Sequence, residues 1–281
     1  MFFVYKEDRV PVLLMVVLSV ADFAVYCYVD SILWLVLWTV LGVIPKANIG
    51  AWTHHHQHCF TFRQAVLNRA LETLHFFHVG ISTHLWWLHH VLGHHKNYLD
   101  QTLDESRWKT ADGRTMAEWQ YTFSVAGTAY SRAAGVGLRY RKYLPVFVVM
   151  LVINLAALSL LIYYRPLQAL LVYVLPMAIG LTMVAHATYQ HHAGLDTDNP
   201  FEASHNITDP MYNLITGNLG YHTAHHLKGA LHWSRLPQFH ASIAHKIPPQ
   251  LYDQPGFPYT ALTALAHALG WSLHAVGDRP S

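Results

Sequence analysis

Three groups of histidines carry the spacing that metal ions require. His54-His55-His56-Gln57-His58 sets His54 and His58 four residues apart. His90-Val91-Leu92-Gly93-His94-His95 repeats that separation and adds an adjacent imidazole. His222-Thr223-Ala224-His225-His226 combines separations of three and four. Residues so spaced share one face of a helix, so His54 with His58, and His90 with His94, are each expected to hold one metal. His186 and the pair His191-His192 form a further cluster. A solitary histidine on a helix is usually packed or solvated. Three groups with ligand spacing in one chain point to metal chemistry.

The donor set narrows that chemistry. The chain has 23 His but only 2 Cys, Cys27 and Cys59. Two thiols build neither an iron–sulfur cluster, nor a rubredoxin-type site, nor a disulfide framework. No Asp or Glu lies inside a group, which excludes the Glu-x-x-His bridges of soluble di-iron bundles. A structural zinc takes about four ligands, and the imidazole supply is about twice that. Two metals in an all-imidazole cage is the expected count. Imidazole suits iron, zinc, copper and nickel alike, so residue type leaves the element open.

The elements that must position these groups are apolar. Of 281 residues, 53% are hydrophobic and only 12% charged. Soluble domains carry about 25% charged residues. This composition excludes a disordered chain, and the net charge of +2 argues against a nucleic-acid binder. Four apolar runs occupy residues 10–29, 32–52, 144–164 and 167–185. A helix needs about 20 residues to cross the hydrocarbon core. The pattern predicts an all-α membrane protein of one domain, 1–281, with four transmembrane helices in two hairpins. Residues 53–143 and 186–281 form a helical cap. The first run is longer than a signal peptide and lacks a small-residue cleavage site. Asp22, inside that run, has to face protein or a polar cavity.

Lys and Arg concentrate between the second and third spans, from Arg63 to Lys142, whereas the hairpin tips hold only Asp30 and Arg165. Both termini, the cap and every histidine group are therefore expected on the cytoplasmic face. Leu67–Leu92 carries Arg69, Glu72 and five histidines and reads as an amphipathic helix on or dipping into the membrane. Tyr259–Val276, with His267 and His274, reads as a second interfacial helix.

The order HxxxH, HxxxHH, HxxHH resembles the membrane fatty acid desaturases and hydroxylases. Asn218-Leu-Gly-Tyr-His-Thr-Ala-His-His226, followed by His232-Trp-Ser-Arg-Leu-Pro237, is similar to the last box of that family and its flank. Tyr189-Gln-His-His-Ala-Gly-Leu195 resembles the element that gives alkane hydroxylases one further ligand. The three-residue gap between His90 and His94 is closest to alkane-hydroxylase-type and bacterial desaturase-like members. The resemblance implies a bacterial inner-membrane enzyme with two iron ions. Their ligands would be His54, His58, His90, His94, His95, His192, His222, His225 and His226. His192 is favoured over His191 by the Gly-Leu register, with His186 a third option. Candidates around the ligands are His55, His56, His191 and Asn218, with Asp196, Asp198 and Asp209.

The resemblance also implies the reaction. Dioxygen and two electrons from a ferredoxin or rubredoxin with its reductase would serve to attack an unactivated C–H bond of a fatty acyl or alkyl chain. Desaturation is the leading outcome. Hydroxylation, or oxidative decarboxylation to a terminal alkene, is the alternative on the same scaffold. A non-enzymatic metal transporter is the remote one, since it needs ligands at mid-membrane. Phe76, Phe77, Trp86, Trp87, Trp108, Trp119 and Tyr121 are candidates to line the substrate tunnel. The Arg132–Lys142 patch could receive an acidic donor.

Overall fold

The computed structural model describes residues 2–269, and the secondary structure there is helical, with only isolated strand bridges. Helices α1 (Arg9–Tyr28) and α2 (Ile32–His58) form the first hairpin. The second hairpin is α6 (Leu144–Tyr164) and α7 (Pro166–His192). These four are long and apolar enough to cross a membrane. α6 is apolar on all sides and buries only Phe147 and Asn154, the signature of a helix whose solvent is lipid. Between the hairpins lie α3 (Ala65–Val79), a π-helical α4 (Trp87–His94) and α5 (Glu118–Arg139). After α7 come α8 (Pro210–Thr216), α9 (His222–Leu227), α10 (Leu236–Ile243) and α11 (Tyr259–Ala268).

Two expectations from the sequence need revising. First, α2 and α7 do not stop at residues 52 and 185. Each continues as helix to His58 and His192, so the spans themselves carry two of the histidine groups. Second, Leu67–Leu92 is not one interfacial helix. It breaks at Gly80, which takes the left-handed conformation (φ 68°) that glycine adopts without strain. α3 is folded inward against α1, α2 and α7. The reason is polar. Glu72, buried on α3, accepts hydrogen bonds from Gln57 of α2 (3.0 Å) and Thr83 (2.9 Å) and pairs with Arg69. His78 contacts Ser19 of α1 at 2.8 Å. Side chains that lipid would reject are instead matched inside the bundle. Of the second expected interfacial helix, α11 is seen. The His267 side chain and His274 lie outside the described residues.

The apolar core joins these elements. Met15, Ile49, Leu71, Val79, Leu88, Val136 and Phe147 form one buried cluster drawn from α1 through α6. A second cluster, around Val172, Tyr173 and Trp38, adjoins an ion pair. Lys46 Nζ lies 2.8 Å from Asp22 Oδ1, and both side chains are fully buried. Trp38 Nε1 donates to the same carboxylate oxygen at 2.8 Å. Asp22 thus faces protein, as its cost in lipid demands. Lys46 also donates to the Val172 carbonyl, and Thr39 to that of Leu171, each at 2.7 Å. Those carbonyls belong to a π turn, Leu170–Val174, whose altered winding leaves backbone groups needing partners.

Breaking a buried pair strands one charge, at a cost of about 3–5 kcal/mol. Lys46→Met or Asp22→Asn alone is expected to lower the unfolding midpoint in detergent sharply. The double variant is expected to recover most of the loss. A denaturation cycle over the four proteins measures the coupling, and purely additive single effects would rule the clamp out.

Candidate metal centre

The last turns of α2 present His54 and His58, and the end of α7 presents His192. α4 approaches from a third side and α9 closes the set with His222, His225 and His226. Two groups of ring nitrogens result. His54, His58, His90, His95 and His225 place one ligand atom each within 4.8 Å of one another. His94, His192 and His226 form the second group. His222 joins it through its Nε2, 3.0 Å from His192 Nε2.

The partition differs from what the sequence spacing suggests. His90 and His94 do not share a group. α4 is wound as a π-helix, in which residues five apart align, and His95 N–H bonds to the His90 carbonyl at 2.8 Å. His90 and His95 therefore face the same centre, with Nε2 atoms 3.1 Å apart, while His94 turns to the other. Each vicinal pair is split the same way. His94 and His95 serve different groups, and so do His225 and His226. Two centres fed by shared dipeptides have to be close neighbours. His95 and His226, one from each group, stack with centroids 4.1 Å apart.

The distances suit metal ions. Nε2 atoms lie 2.8 Å apart for His54 and His90, 2.9 Å for His95 and His225, and 3.3 Å for His94 and His192. Two imidazoles bound at about 2.0–2.1 Å to one ion have nitrogens about 2.9–3.4 Å apart. Hydrogen bonding among the rings does not satisfy the set. His58 Nε2 and both nitrogens of His226 are buried without a partner. An unpaired buried polar atom is costly, and a metal ion would satisfy it. Burial also holds His90, His95, His222, His225 and His226 well below the ordinary histidine pKa. They are neutral at pH 7, the form that ligates.

Surrounding groups orient the rings. His192 Nδ1 donates to the Ala203 carbonyl at 2.9 Å, which leaves Nε2 free to ligate. His94 Nδ1 donates to Asp104, 2.9 and 3.0 Å from its two oxygens. Asp104 is buried and also accepts from the Ser106 backbone N–H at 2.7 Å. Sequence reasoning missed Asp104, because ten residues and a loop separate it from His94. The adjoining Glu105 pairs with Arg139 at 2.6 Å, and its carbonyl accepts from Arg132. That engages two cations of the basic patch expected to receive a donor.

The remaining candidates fall outside the two groups. His191 donates from Nδ1 to the His205 carbonyl (3.1 Å) and stacks on His222 with centroids 3.9 Å apart. His55 bonds the Thr216 carbonyl at 3.0 Å, and His56 bonds Thr61. His186 pairs with Glu118 at 2.5 Å. Asn218 donates to the Trp233 carbonyl rather than to a ligand ring. Asp196 pairs with Lys109, Asp198 is exposed, and Asp209 caps α8 through the Tyr212 N–H. The flank after the third group is held from afar. Asp8 accepts from Trp233 Nε1 at 2.8 Å and from His232 at 3.1 Å.

A cavity ends on the rings. His54, His90, His191 and His222 form its floor, and Ala47, Gly50, Ala51, Val184 and Leu219 are among its walls. Of the aromatic residues expected to line a tunnel, only Trp86 does so, stacked on His90 with centroids 4.9 Å apart. Phe76 and Phe77 pack beside Tyr173, Trp87 lies against Phe60 and Tyr143, and Trp108 and Tyr121 share a separate cluster. Trp119 stacks on His186.

A helical bundle with four helices able to span a membrane, with buried all-imidazole groups beside an apolar cavity, defines the class as a membrane protein with a candidate metal site. The family model "Fatty acid desaturase" matches residues 32–271, and the chain belongs to that family. No curated protein and no solved structure matches the chain. Membership makes the protein an integral membrane oxidoreductase acting on fatty acyl chains.

Asp104→Ala is expected to weaken metal binding about 10–100-fold, the usual effect of removing a group that holds a ligand. Metal titration of the purified protein checks it. Unchanged affinity would show that the His94–Asp104 contact holds no ligand in place.

Proposed function

We propose that the chain is a diiron enzyme that uses dioxygen to desaturate a fatty acyl or alkyl chain, with His54, His58, His90, His94, His95, His192, His222, His225 and His226 as its ligands. The observation that carries this reading is the pair of contiguous imidazole groups, with His54, His90 and His222 lining a largely apolar cavity. Two irons bound there would supply, with dioxygen and two electrons, the power to remove hydrogen from an unactivated C–H bond. The net reaction converts two vicinal C–H bonds to an alkene. Two electrons and two protons enter from outside, and two waters leave.

The chain's own residues do the rest. Neutral rings leave each centre its full positive charge, which carboxylate ligands would offset. Asp104 and the Ala203 carbonyl fix two rings in orientation. Trp86, Ala47, Ala51 and Leu219 hold an apolar chain against the floor and leave little room for water. Placement of one C–H bond against the centre decides between alkene and alcohol, since small displacements change reactivity strongly.

The whole chain, 1–281, acts as one membrane domain with termini and centre on the cytoplasmic face. A ferredoxin or rubredoxin, reduced by its reductase, supplies the electrons. Of the nine ligands only His58 and His95 are half-buried, and both lie beneath the backbone at Gly229. The exposed Lys96, Lys228 and Arg235 suit this region of the surface to an acidic donor.

The test is product analysis. Protein purified with iron, given electrons and dioxygen, is expected to convert a saturated chain to one two mass units lighter, with about two irons per chain. His94→Ala or His225→Ala is expected to abolish turnover and lower iron content. A single zinc with no oxygen consumption would overturn the reading, and an alcohol product would reassign it to hydroxylation.

A further inference from the structure

The cavity has a rim as well as a floor. Most of its lining is buried, but Ile44 of α2 and Phe257 are 37% and 59% exposed. Met183 of α7 is half-buried. At about 1.5 Å per residue, Ile44 sits about 18 Å along α2 from Ile32. A hydrocarbon core about 30 Å thick that begins near Ile32 therefore surrounds Ile44. On the opposite side of the rim stand cap elements fastened at the same depth. Asn48 of α2 donates to the Ile215 carbonyl at the end of α8 and accepts from the Tyr259 hydroxyl of α11 at 3.2 Å. The outward residues here are Leu214, Phe257, Leu265 and Leu269, all exposed and apolar. Such a patch on a cap element is a surface meant for lipid.

Among the described residues, the lining includes no Lys, Arg, Asp or Glu. His186 is already matched to Glu118. Apart from a bound metal, a carboxylate drawn down to the floor would find no side-chain cation and would lose its hydration.

We infer that the cavity opens sideways into the hydrocarbon between Ile44, Met183 and Phe257, and admits the uncharged part of an alkyl chain already dissolved in the bilayer. A chain delivered by a water-soluble carrier protein has no route to this rim. The inference rests on the proposed oxidase function for its consequence, but the route itself is read from the cavity.

The test measures binding apart from turnover. The full chain is placed in phospholipid nanodiscs, with 12-bromododecanoic acid and 1-bromododecane as probes. Bromine quenches tryptophan fluorescence on contact. Trp86 is the reporter, identified by the part of the saturable quenching that Trp86→Phe removes. Both probes are expected to quench it. Ile44→Phe and Met183→Phe narrow the rim from different helices, and each is expected to raise the apparent Kd at least fivefold with metal content unchanged. The same bromoacyl chain on acyl carrier protein is expected to give no saturable quenching. Unchanged Kd in both narrowed variants overturns the route, as does equal quenching by the carrier-bound chain. Release of carbon dioxide from the acid also overturns it, since the carboxylate would then reach the centre. If binding follows the prediction while the iron-loaded protein oxidises neither probe, the route stands and the oxidase reading falls.

Discussion

Nine imidazoles facing inward at one place impose the constraint on which the other features depend. Each ring brings a nitrogen that has to find a partner out of water, and the rings cannot partner one another completely. A metal ion resolves the conflict only if the helices hold the nitrogens at coordination distance before it arrives. Four separate elements, α2, α4, α7 and α9, therefore converge within a few ångströms.

The bundle beneath is built for that precision. α3 is drawn inward by polar contacts rather than left at a surface, and α4, next in the chain, packs against α5 and α2. α2 and α7 are tied by Lys46 and Thr39 to a π turn that would otherwise expose carbonyls. Polar groups deep in the spans thus act as registers that set the height at which His54, His58 and His192 emerge. In lipid, such groups have few alternative partners, so their pairing specifies one arrangement.

The same convergence shapes the function. Residues of α2, α7, α8 and the start of α11 line the cavity. Its floor carries three of the proposed ligands, His54, His90 and His222, and its walls are largely apolar. That combination suits a reaction in which an unreactive chain is held still while oxidising power is brought to it. In the proposed reaction electrons would enter near His58 and His95, the two half-buried ligands, and the chain would enter past Ile44 and Phe257.

Much of this was legible in the residues. Four runs of about 20 apolar residues predict four spanning helices, because a helix of that length satisfies its backbone within one segment. The histidine spacing announced metal chemistry, and all nine proposed ligands meet in one place. Which ring serves which centre was not legible. Spacing of four assumes an α-helix, and only the packed structure winds α4 as a π-helix, pairing His90 with His95. Asp104, the inward fold of α3 and the path of the cavity were hidden for a related reason. Local spacing fixes which side chains share a face of one element, whereas contacts between distant segments exist only once the elements are packed.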